Sequence, residues 1–420
     1  MSRSHSSDTA KWRSVRIDDV VLEMVAGTSV NGSEQSSAGA HLAVLKISAV
    51  TEGVFKPEEN KVIVEADIPF ATRPPKAGRV LVSRANTPEL VGASAYVSQD
   101  YDYLFLPDKL WMIEHDPDLI ASAKWLHELL TSTSYRQKLR DIATGTSNSM
   151  KNISKEAFLG LRIPLPPPQI QIAIADVADC WNISIQKATA LLAALEQRKQ
   201  GLMQQLLTGR RRLKGFKGKW KAVSIGSIAT HASNANKSGH ALPVLSCTKY
   251  NGLVDSLSYF GKQIFSQNTS TYKLVARGQF AYATNHIEEG SIGYQNLYDA
   301  ALISPMYTVF EGDASAVDHG FLYKLLKTEA MRRVFESSTH GSVARRGSLR
   351  WPEFAKLKIA IPPMPEQTAI ASLLDVASEE IELVSAEIAQ LRTQKRALMQ
   401  KLLSGNWRMP KTAILKEFSA

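Results

Sequence analysis

The sequence predicts an α+β protein in which two mixed α/β domains are separated by two long helices that pack against each other. Three observations predict this fold class: an internal duplication, a proline block before each long helix, and a heptad pattern within it. The duplication is gapless, because Trp125–Gly209 aligns with Phe321–Gly405 at a constant offset of 196 (321 − 125). A repeat of this length indicates two copies of one structural unit, related by a pseudo-twofold.

The similarity between the halves resumes near the start of each globular part. Trp12–Ile17 resembles Trp220–Ile225, but at an offset of 208 (220 − 12), so the first globular part carries 12 more residues (208 − 196). Similar ends around a middle of different length indicate one scaffold that carries two different inserts. Trp12 and Trp220 are predicted to be packing residues at the domain starts.

The globular parts contain strand-like and helical segments in the same order. The strand-like segments Val80–Ser83 and Gln279–Tyr282 follow the turn glycines Gly78 and Gly278. One continuous helix is predicted after them in each half, and a Gly/Ser-rich loop follows that helix. These helices span Trp125–Leu139 and Phe321–Phe335.

A proline block closes each globular part, at Pro164–Pro168 and Pro362–Pro365. Proline is excluded from helix interiors but suits the first turn, so each block marks the start of a long helix. Gly209 and Gly405 are predicted to be the C-caps of these helices. Helices of roughly 36–39 residues would each be about 55 Å long.

A heptad seam runs through both helices, with apolar residues at alternating steps of four and three. The first seam is Ile174, Ala178, Trp181, Ile185, Ala188, Leu192, Leu195, Lys199, Leu202 and Leu206. The second is Ile370, Leu374, Ala377, Ile381, Val384, Ile388, Leu391, Lys395, Leu398 and Leu402. A lysine interrupts both seams at the same slot, where a polar residue often determines register or partner. Identical seams favour a paired helical rod over two separate amphipathic helices.

The composition favours a polyanionic partner. The net charge is +10, and hydrophobic residues make up 44% of the 420 residues, which suffices for two to three folded domains. Two cysteines, Cys180 and Cys247, exclude a disulfide framework, and neither a signal peptide nor a membrane span is recognisable. We therefore expect a cytoplasmic protein. Between the halves, the basic segment 210–221 contains no acidic residue, and it is either a solvated linker or a phosphate contact.

Signatures of catalysis and metal binding are absent from the sequence. The prolines do not form the Asn/Asp-Pro-Pro-aromatic motif of amino-methyltransferases, and no phosphate-binding glycine loop occurs. His127-Glu128 opens like a zinc-protease helix, but Thr131 stands where the second histidine is needed. The two cysteines form no metal cluster. We expect no catalytic residue and no metal site.

The arrangement resembles the specificity (S) subunit of type I restriction–modification systems over about residues 12–409. The resemblance is most specific where the second proline block leads into Glu366-Gln367-Thr368-Ala369-Ile370, and at Leu398–Gly405. Leu373-Leu374-Asp375 belongs to the same pattern. Half one follows it with one departure, because Ile170 stands where half two has Glu366, so that helix start lacks a favourable acidic residue.

The resemblance implies two target-recognition domains and two conserved helices that pair as an antiparallel coiled coil and act as a ruler. Each domain would read one half of a bipartite, asymmetric double-stranded DNA site. The chain itself would be non-catalytic and bind no cofactor. Its partners would be two methyltransferase subunits and, in complete systems, motor-nuclease subunits, which would use S-adenosylmethionine, ATP and Mg²⁺. A methyltransferase system without a nuclease, or a coiled-coil protein-interaction scaffold, are the alternatives.

The predicted domain boundaries follow the repeat. We expect an N-terminal tail over 1–11, target-recognition domains over 12–161 and 220–357, and helical spacers over 162–209 and 358–405. A basic linker over 210–219 and a C-terminal tail over 406–420 complete the chain.

Base readout needs exposed donors and acceptors, for which Arg, Lys, Asn and Gln are suited, and phosphates accept from basic and hydroxyl side chains. In the first domain the candidates follow the Val80–Ser83 strand and occupy the loop after Gly145: Arg84, Asn86, Ser147, Asn148, Lys151 and Asn152. In the second they occupy the corresponding places: Thr284, Asn285, His286, Arg345, Arg346 and Arg350. Similar flanks around different residues predict two different half-sites. Trp351 is a candidate for either packing or stacking.

Overall fold

The computed structural model describes residues 12–145, 150–237, 239, 241–339 and 348–407. The chain divides into two compact units. Unit 1 comprises Met1–Thr189 and Glu387–Ala420, and unit 2 comprises Ala190–Ala386. Each unit therefore contains one globular part, the first portion of the long helix that follows it, and the last portion of the other long helix. The α+β fold class predicted from the sequence is confirmed.

The globular part of unit 1 is built on two small sheets. One has the order β2-β9-β5-β7 and the other β4-β3-β8, while β1 pairs with β11 and β6 pairs with β10. The strands are β1 (Arg13–Arg16), β2 (Val21–Ala26), β3 (Ala43–Leu45), β4 (Asn60–Val62), β5 (Val80–Ser83), β6 (Ala85–Asn86), β7 (Ser94–Tyr96), β8 (Leu104–Phe105), β9 (Leu110–His115), β10 (Lys151–Asn152) and β11 (Arg162–Leu165).

Four α-helices begin among the described residues of unit 1. They are α1 (Ala123–Thr131), α2 (Thr133–Asp141), α3 (Lys155–Leu159) and the long α4 (Pro168–Leu206). Trp125 of α1 and Phe158 of α3 are fully buried in the core of this unit. The same core includes Ile174 near the start of α4 and Leu402 near the end of the second long helix.

Unit 2 has a similar topology, with one more strand in its second sheet. Its sheets have the orders β13-β20-β17-β18 and β15-β14-β19-β16, and β12 pairs with β21. The strands are β12 (Lys221–Ser224), β13 (Ala229–Ala232), β14 (Val244–Thr248), β15 (Gly252–Asp255), β16 (Lys273–Ala276), β17 (Gln279–Ala283), β18 (Ile292–Tyr294), β19 (Ala300–Ile303), β20 (Tyr307–Gly312) and β21 (Lys358–Ile361). Its helices are α5 (Ser256–Phe260), α6 (His319–Leu326), α7 (Glu329–Thr339), α8 (Trp351–Phe354) and the long α9 (Met364–Leu403).

The prediction of one continuous helix in each half is wrong, because two shorter helices occupy that place in each unit. Ser132 separates α1 from α2 in an extended conformation, and its hydroxyl donates to the Leu129 carbonyl at 2.7 Å. In unit 2 the Thr328 hydroxyl donates to the Leu325 carbonyl at 2.7 Å and accepts from the Met331 amide. Hydroxyl side chains satisfy backbone groups at a helix end, so they compete with helix continuation.

The burial pattern of the long helices follows the predicted heptad seam. All ten seam residues of α4 and all ten of α9 are buried or half-buried, whereas the residues between them along the middle of each helix are mostly exposed. The helices contain 39 and 40 residues, which corresponds to about 60 Å each at 1.5 Å per residue. Within unit 1, Lys395 contacts Asn182, and within unit 2 Arg198 pairs with Glu380. Each contact joins a late position of one helix to an early position of the other.

The helix ends also follow the sequence prediction. The proline blocks lead directly into α4 at Pro168 and α9 at Met364. Gly209 and Gly405 adopt the left-handed conformation, with φ of 71° and 73°. A Cβ atom at Gly209 would lie 3.4 Å from the Trp220 ring, and one at Gly405 would lie 3.4 Å from the Trp12 ring. Both tryptophans are therefore packing residues, as predicted.

A buried glutamine connects the start of each long helix to the loop that precedes α1 in unit 1 or α6 in unit 2. Gln171 accepts from the Ala121 amide at 2.9 Å and donates to the Leu119 carbonyl at 2.9 Å. Gln367 accepts from the Asp318 amide at 2.9 Å and donates to the Pro362 carbonyl at 2.9 Å. The repeated Gln of the motif thus satisfies buried backbone groups, which are costly to leave unpaired.

Within the part of the chain that the structure describes, no helix is both long enough and apolar enough to cross a membrane.

Candidate nucleic-acid interface

The first candidate surface forms where two segments distant in the sequence pair as short strands. β6 and β10 run antiparallel, with Asn86 opposite Lys151 and Ala85 opposite Asn152. The Ile153 amide then donates to the Arg84 carbonyl at 2.8 Å. Four candidates that the sequence offered as two clusters therefore lie on one ribbon. Ser147 and Asn148, the remaining candidates of unit 1, lie outside the described residues.

The four side chains on this ribbon differ in how far they are engaged. Arg84 donates from Nε to the Asp108 carbonyl at 2.8 Å, and its guanidinium lies 3.8 Å from the Asp108 carboxylate. Lys151 donates to the Gly145 carbonyl at 2.6 Å. Asn86 accepts from the Thr87 amide at 2.8 Å and donates to Ser83 Oγ at 3.5 Å, while the side chain of Asn152 is exposed and has no hydrogen bond to the described residues. Asn86 and Asn152 are thus the candidates with the most amide capacity left for a ligand.

The second candidate surface has the same backbone frame in unit 2. The Leu349 amide donates to the Thr284 carbonyl at 3.0 Å, which brings the segment that contains Arg350 beside the end of β17. Thr284, Asn285 and Arg350 line one open cavity of about 590 Å³. Arg350 is an exposed residue. Arg345 and Arg346 lie outside the described residues.

His286 is exposed at the edge of this surface and engages an acidic neighbour. Its Nδ1 lies 3.1 Å from a Glu289 carboxylate oxygen. His286, Glu288 and Glu289 each place one possible ligand atom within 4.8 Å of the others. Exposed acidic groups commonly cluster in this way without an ion, so this cluster gives no ground for a metal site.

Trp351, at the start of α8, is a packing residue. Its ring stacks on His231 with centroids 5.7 Å apart and lies 5.6 Å from the ring of Phe310. Burial lowers the pKa of His231, which favours the neutral imidazole against the indole. The ring therefore has partners within unit 2, which argues against a free stacking platform for a base.

The basic segment between the halves has a role that the sequence did not reveal. Arg212 donates from two nitrogens to the two carboxylate oxygens of Glu366, each at 2.5 Å, and to the Gly218 carbonyl at 2.8 Å. Glu366 is fully buried at the start of α9. This bidentate pair engages Arg212 within unit 2 rather than leaving it for a phosphate. Ile170, which stands at the equivalent position in the first half, cannot form such an ion pair, so the Glu366/Ile170 difference removes this contact from unit 1.

The sequence did not reveal the importance of the connection that leads from one sheet of each unit to the other. Pro107 and Asp108 lie between β8 and β9, and Pro305 and Met306 lie between β19 and β20. Thr284 Oγ1 donates to the Met306 carbonyl at 3.1 Å, just as Arg84 donates to the Asp108 carbonyl. Pro107 and Pro305 are the one feature that the two connections share in the sequence. A single shared residue is too weak a signal to identify equivalent turns in segments that do not align.

The chain is similar to known type I specificity subunits. The type I restriction modification DNA specificity domain, as a family model, matches residues 217–393. The chain is 29% identical over 185 residues to the EcoEI specificity subunit of Escherichia coli, covering 44% of this chain and 31% of that subunit. It is 26% identical over 283 residues to the MjaVIII specificity subunit of Methanocaldococcus jannaschii, covering 61% and 65%.

The family model covers 177 of the 420 residues (393 − 217 + 1), so the similarity to this family is shown for that part of the chain. Both alignments span less than two thirds of the relative's own length. The fold is shared with the type I restriction–modification S subunit of M. genitalium, at a TM-score of 0.57 and 13% identity over 98% of this chain and 100% of that one. The HsdS subunit of Thermoanaerobacter tengcongensis aligns with a TM-score of 0.51 and 18% identity over 97% and 100% of the two chains.

Proposed function

We propose that this chain is the DNA sequence-specificity subunit of a type I restriction–modification complex. It binds a bipartite, asymmetric DNA site and directs methyltransferase subunits, and restriction subunits where present, to that site. The chain contributes recognition, and the chemistry belongs to its partners. The boundaries of its target-recognition domains are those predicted from the repeat, 12–161 and 220–357.

One observation supports this proposal above the others. Each unit uses the same backbone frame to bring together two segments that are distant in sequence, and the side chains on that frame differ. Unit 1 presents Asn86 beside Lys151 and Asn152, whereas unit 2 presents Thr284 and Asn285 beside Arg350. Asn suits adenine edges, and Arg suits guanine edges and phosphates. Two frames with different side chains suit a site whose halves differ.

The charge of the chain suits a phosphate backbone. The net charge of +10 favours a polyanion, and each phosphate contact releases counterions. Arg345 and Arg346 remain candidates on sequence grounds, together with Ser147 and Asn148. We expect affinity to fall as salt rises, with a slope that reports the number of phosphate contacts.

The partners follow from the family. We propose that two methyltransferase subunits dock on the conserved helical regions and supply S-adenosylmethionine chemistry. Motor-nuclease subunits, where present, would use ATP and Mg²⁺. The role of α4 and α9 as a ruler between half-sites stays a prediction.

The test is a genome-wide map of methylated adenines in the native host, with and without this gene. We expect one split, asymmetric motif to lose methylation on deletion and to regain it when the gene is restored. An unchanged map in a host that expresses the methyltransferase partners would overturn the proposal. Transformation with unmethylated plasmids that carry the motif then separates a complete restriction system from a methyltransferase-only system.

A further inference from the structure

Two exposed apolar side chains stand beside the polar candidates of unit 2. Met306 is 63% exposed and Ile264 is 50% exposed. Both line one open cavity of about 340 Å³ together with Thr284, Asn285 and His286. Single exposed apolar residues are ordinary, but two that flank a group of hydrogen-bonding side chains indicate a surface that meets a partly apolar ligand.

Met306 lies at the centre of this surface. It lines the cavity that contains Ile264, and it also lines the second cavity that contains Arg350. Its backbone is held in place, because its carbonyl accepts from Thr284 Oγ1 at 3.1 Å. Met306 therefore lines two open depressions from an anchored backbone position, and Asn285 lines both of them as well.

Unit 1 has the opposite chemistry at the matching position. The turn after its parallel strand pair is Pro107-Asp108, where unit 2 has Pro305-Met306. Asp108 makes the same backbone contact, accepting from Arg84 Nε at 2.8 Å, but its side chain is a carboxylate near the guanidinium. The same scaffold position is thus charged in one unit and apolar in the other, which is how two readers of different half-sites would diverge.

The DNA major groove offers one apolar feature to such a side chain, the C5-methyl group of thymine. We propose that Met306, flanked by Ile264, contacts a thymine methyl group in the half-site read by unit 2, while Asn285 contacts a base edge beside it. This inference rests on the proposed function. It assigns at least one A·T pair to that half-site and a specificity-determining role to Met306.

The experiment removes only the methyl group. The full chain in complex with its methyltransferase partners is titrated with duplexes that carry the mapped motif, in which each thymine of the two half-sites is replaced singly by deoxyuridine. We expect one replacement to weaken binding by the wild-type chain about fourfold, the equivalent of about 0.8 kcal/mol for one buried methyl-sized group. The same replacement should not weaken binding by Met306→Ala, which has already lost the contact.

Leu257→Ala is the matched control. Leu257 is also an exposed apolar residue of unit 2, at 55%, but it lines neither of the two cavities. This variant should keep the wild-type response to deoxyuridine. Circular dichroism of both variants checks that the fold is retained.

Three outcomes would overturn the inference while leaving the proposed function intact. Sequence-specific binding without sensitivity to any deoxyuridine shows that no methyl group is read. Equal sensitivity in the wild type and in Met306→Ala shows that another residue reads it. A strong increase in 2-aminopurine fluorescence on binding, without methyl dependence, shows that Met306 is a wedge between bases. Failure of the complex to prefer the motif at all would instead contradict the proposed function.

Discussion

The lysines that interrupt the two helix seams have different surroundings. In unit 1, Lys395 donates to the Glu128 carboxylate at 2.9 Å and to the Asn182 side-chain carbonyl at 2.8 Å. The Glu128 side chain is only 7% exposed. The repeat places Lys324, rather than an acidic residue, at the position equivalent to Glu128, and Lys324 pairs with Asp375. Lys199 has no ion pair among the described residues. Of the two seam lysines, Lys395 therefore belongs to a polar network with a buried carboxylate and Lys199 does not.

Removing the charge of Lys395 should destabilise unit 1. We expect Lys395→Met to lower the free energy of unfolding by about 3–5 kcal/mol, because Glu128 is left buried without its counter-charge. Lys199→Met, at the equivalent seam position, should change it by no more than about 0.5 kcal/mol. Urea denaturation followed by circular dichroism provides the comparison. Equal effects of the two substitutions would show that the Glu128 contact is not what stabilises the seam.

The two cysteines should react at very different rates. Cys180 is exposed on α4, whereas burial raises the pKa of the Cys247 thiol to about 12. Because the thiolate is the reactive form, Cys247 should be almost inert at pH 8. We expect one fast and one slow equivalent in a thiol-labelling time course. The fast equivalent should vanish in Cys180→Ser, and both thiols should react in denaturant; two fast thiols in the folded chain would contradict this assignment.

At the scale of elements, the long helices derive their stability from one narrow stripe. Leu195 and Leu391 were both predicted to lie on this seam, and Leu195 is 6% exposed whereas its neighbour Leu191 is 50% exposed. The helices begin where proline is tolerated and end where glycine takes positive φ. The positions of their ends are therefore determined by the local sequence. Their association depends instead on burial along about five heptads, to which the residues outside the stripe contribute little.

A charged substitution in the seam should show how much of the stability comes from burial along the seam and how much from helix propensity. We expect Leu195→Asp to cost at least about 3 kcal/mol, because it removes a buried leucine and buries an unpaired carboxylate. Leu191→Asp introduces the same residue four positions earlier on the exposed side and should cost less than about 1 kcal/mol. Thermal melts and the amount of methyltransferase partner co-purified with each variant measure the difference. Similar losses in both variants would point to aspartate's helix propensity rather than to the seam.

At the scale of the whole molecule, the duplication extends further than the sequence alignment. The order β2-β9-β5-β7 corresponds to β13-β20-β17-β18, although most of these residues cannot be aligned by eye. In both units a parallel pair of strands precedes the turn that carries Asp108 or Met306. The two globular parts are thus copies whose surfaces have diverged, as the proposed recognition of two different half-sites requires.

Substitutions in the two candidate surfaces should therefore act on different halves of the motif. We expect Asn86→Ala to relax base preference in one half-site and Asn285→Ala in the other, each at about 1–3 kcal/mol for the affected base. Methylation maps from hosts that carry each variant show which motif positions become degenerate. Asn296→Ala is the control, since Asn296 is exposed in the turn between β18 and β19. Relaxation of the same half-site by both variants would mean that the units do not read separately.

The sequence alone determined the features that depend on periodicity or on local backbone preference. These are the duplication, the heptad seam, the proline-marked helix starts, the glycine ends, and the turn glycines Gly78 and Gly278, which adopt φ of 75° and 90°. A family resemblance carried by repeated motifs was recognisable for the same reason. One local prediction failed, at Ser132 and Thr328, because hydroxyl contacts to the backbone outweighed helical periodicity.

Contacts between residues that are distant in the sequence depend on the tertiary structure. It placed Asn86 opposite Lys151, paired Arg212 with the buried Glu366, and set Met306 beside Thr284. These contacts join segments 22 to 154 positions apart, and their formation depends on strand register and on the satisfaction of buried polar groups. Neither strand register nor the pairing of a buried polar group produces a periodic pattern in the sequence, because each depends on single residues at particular positions. The candidate surfaces are therefore products of the fold, whereas the scaffold that carries them can be recognised in the sequence.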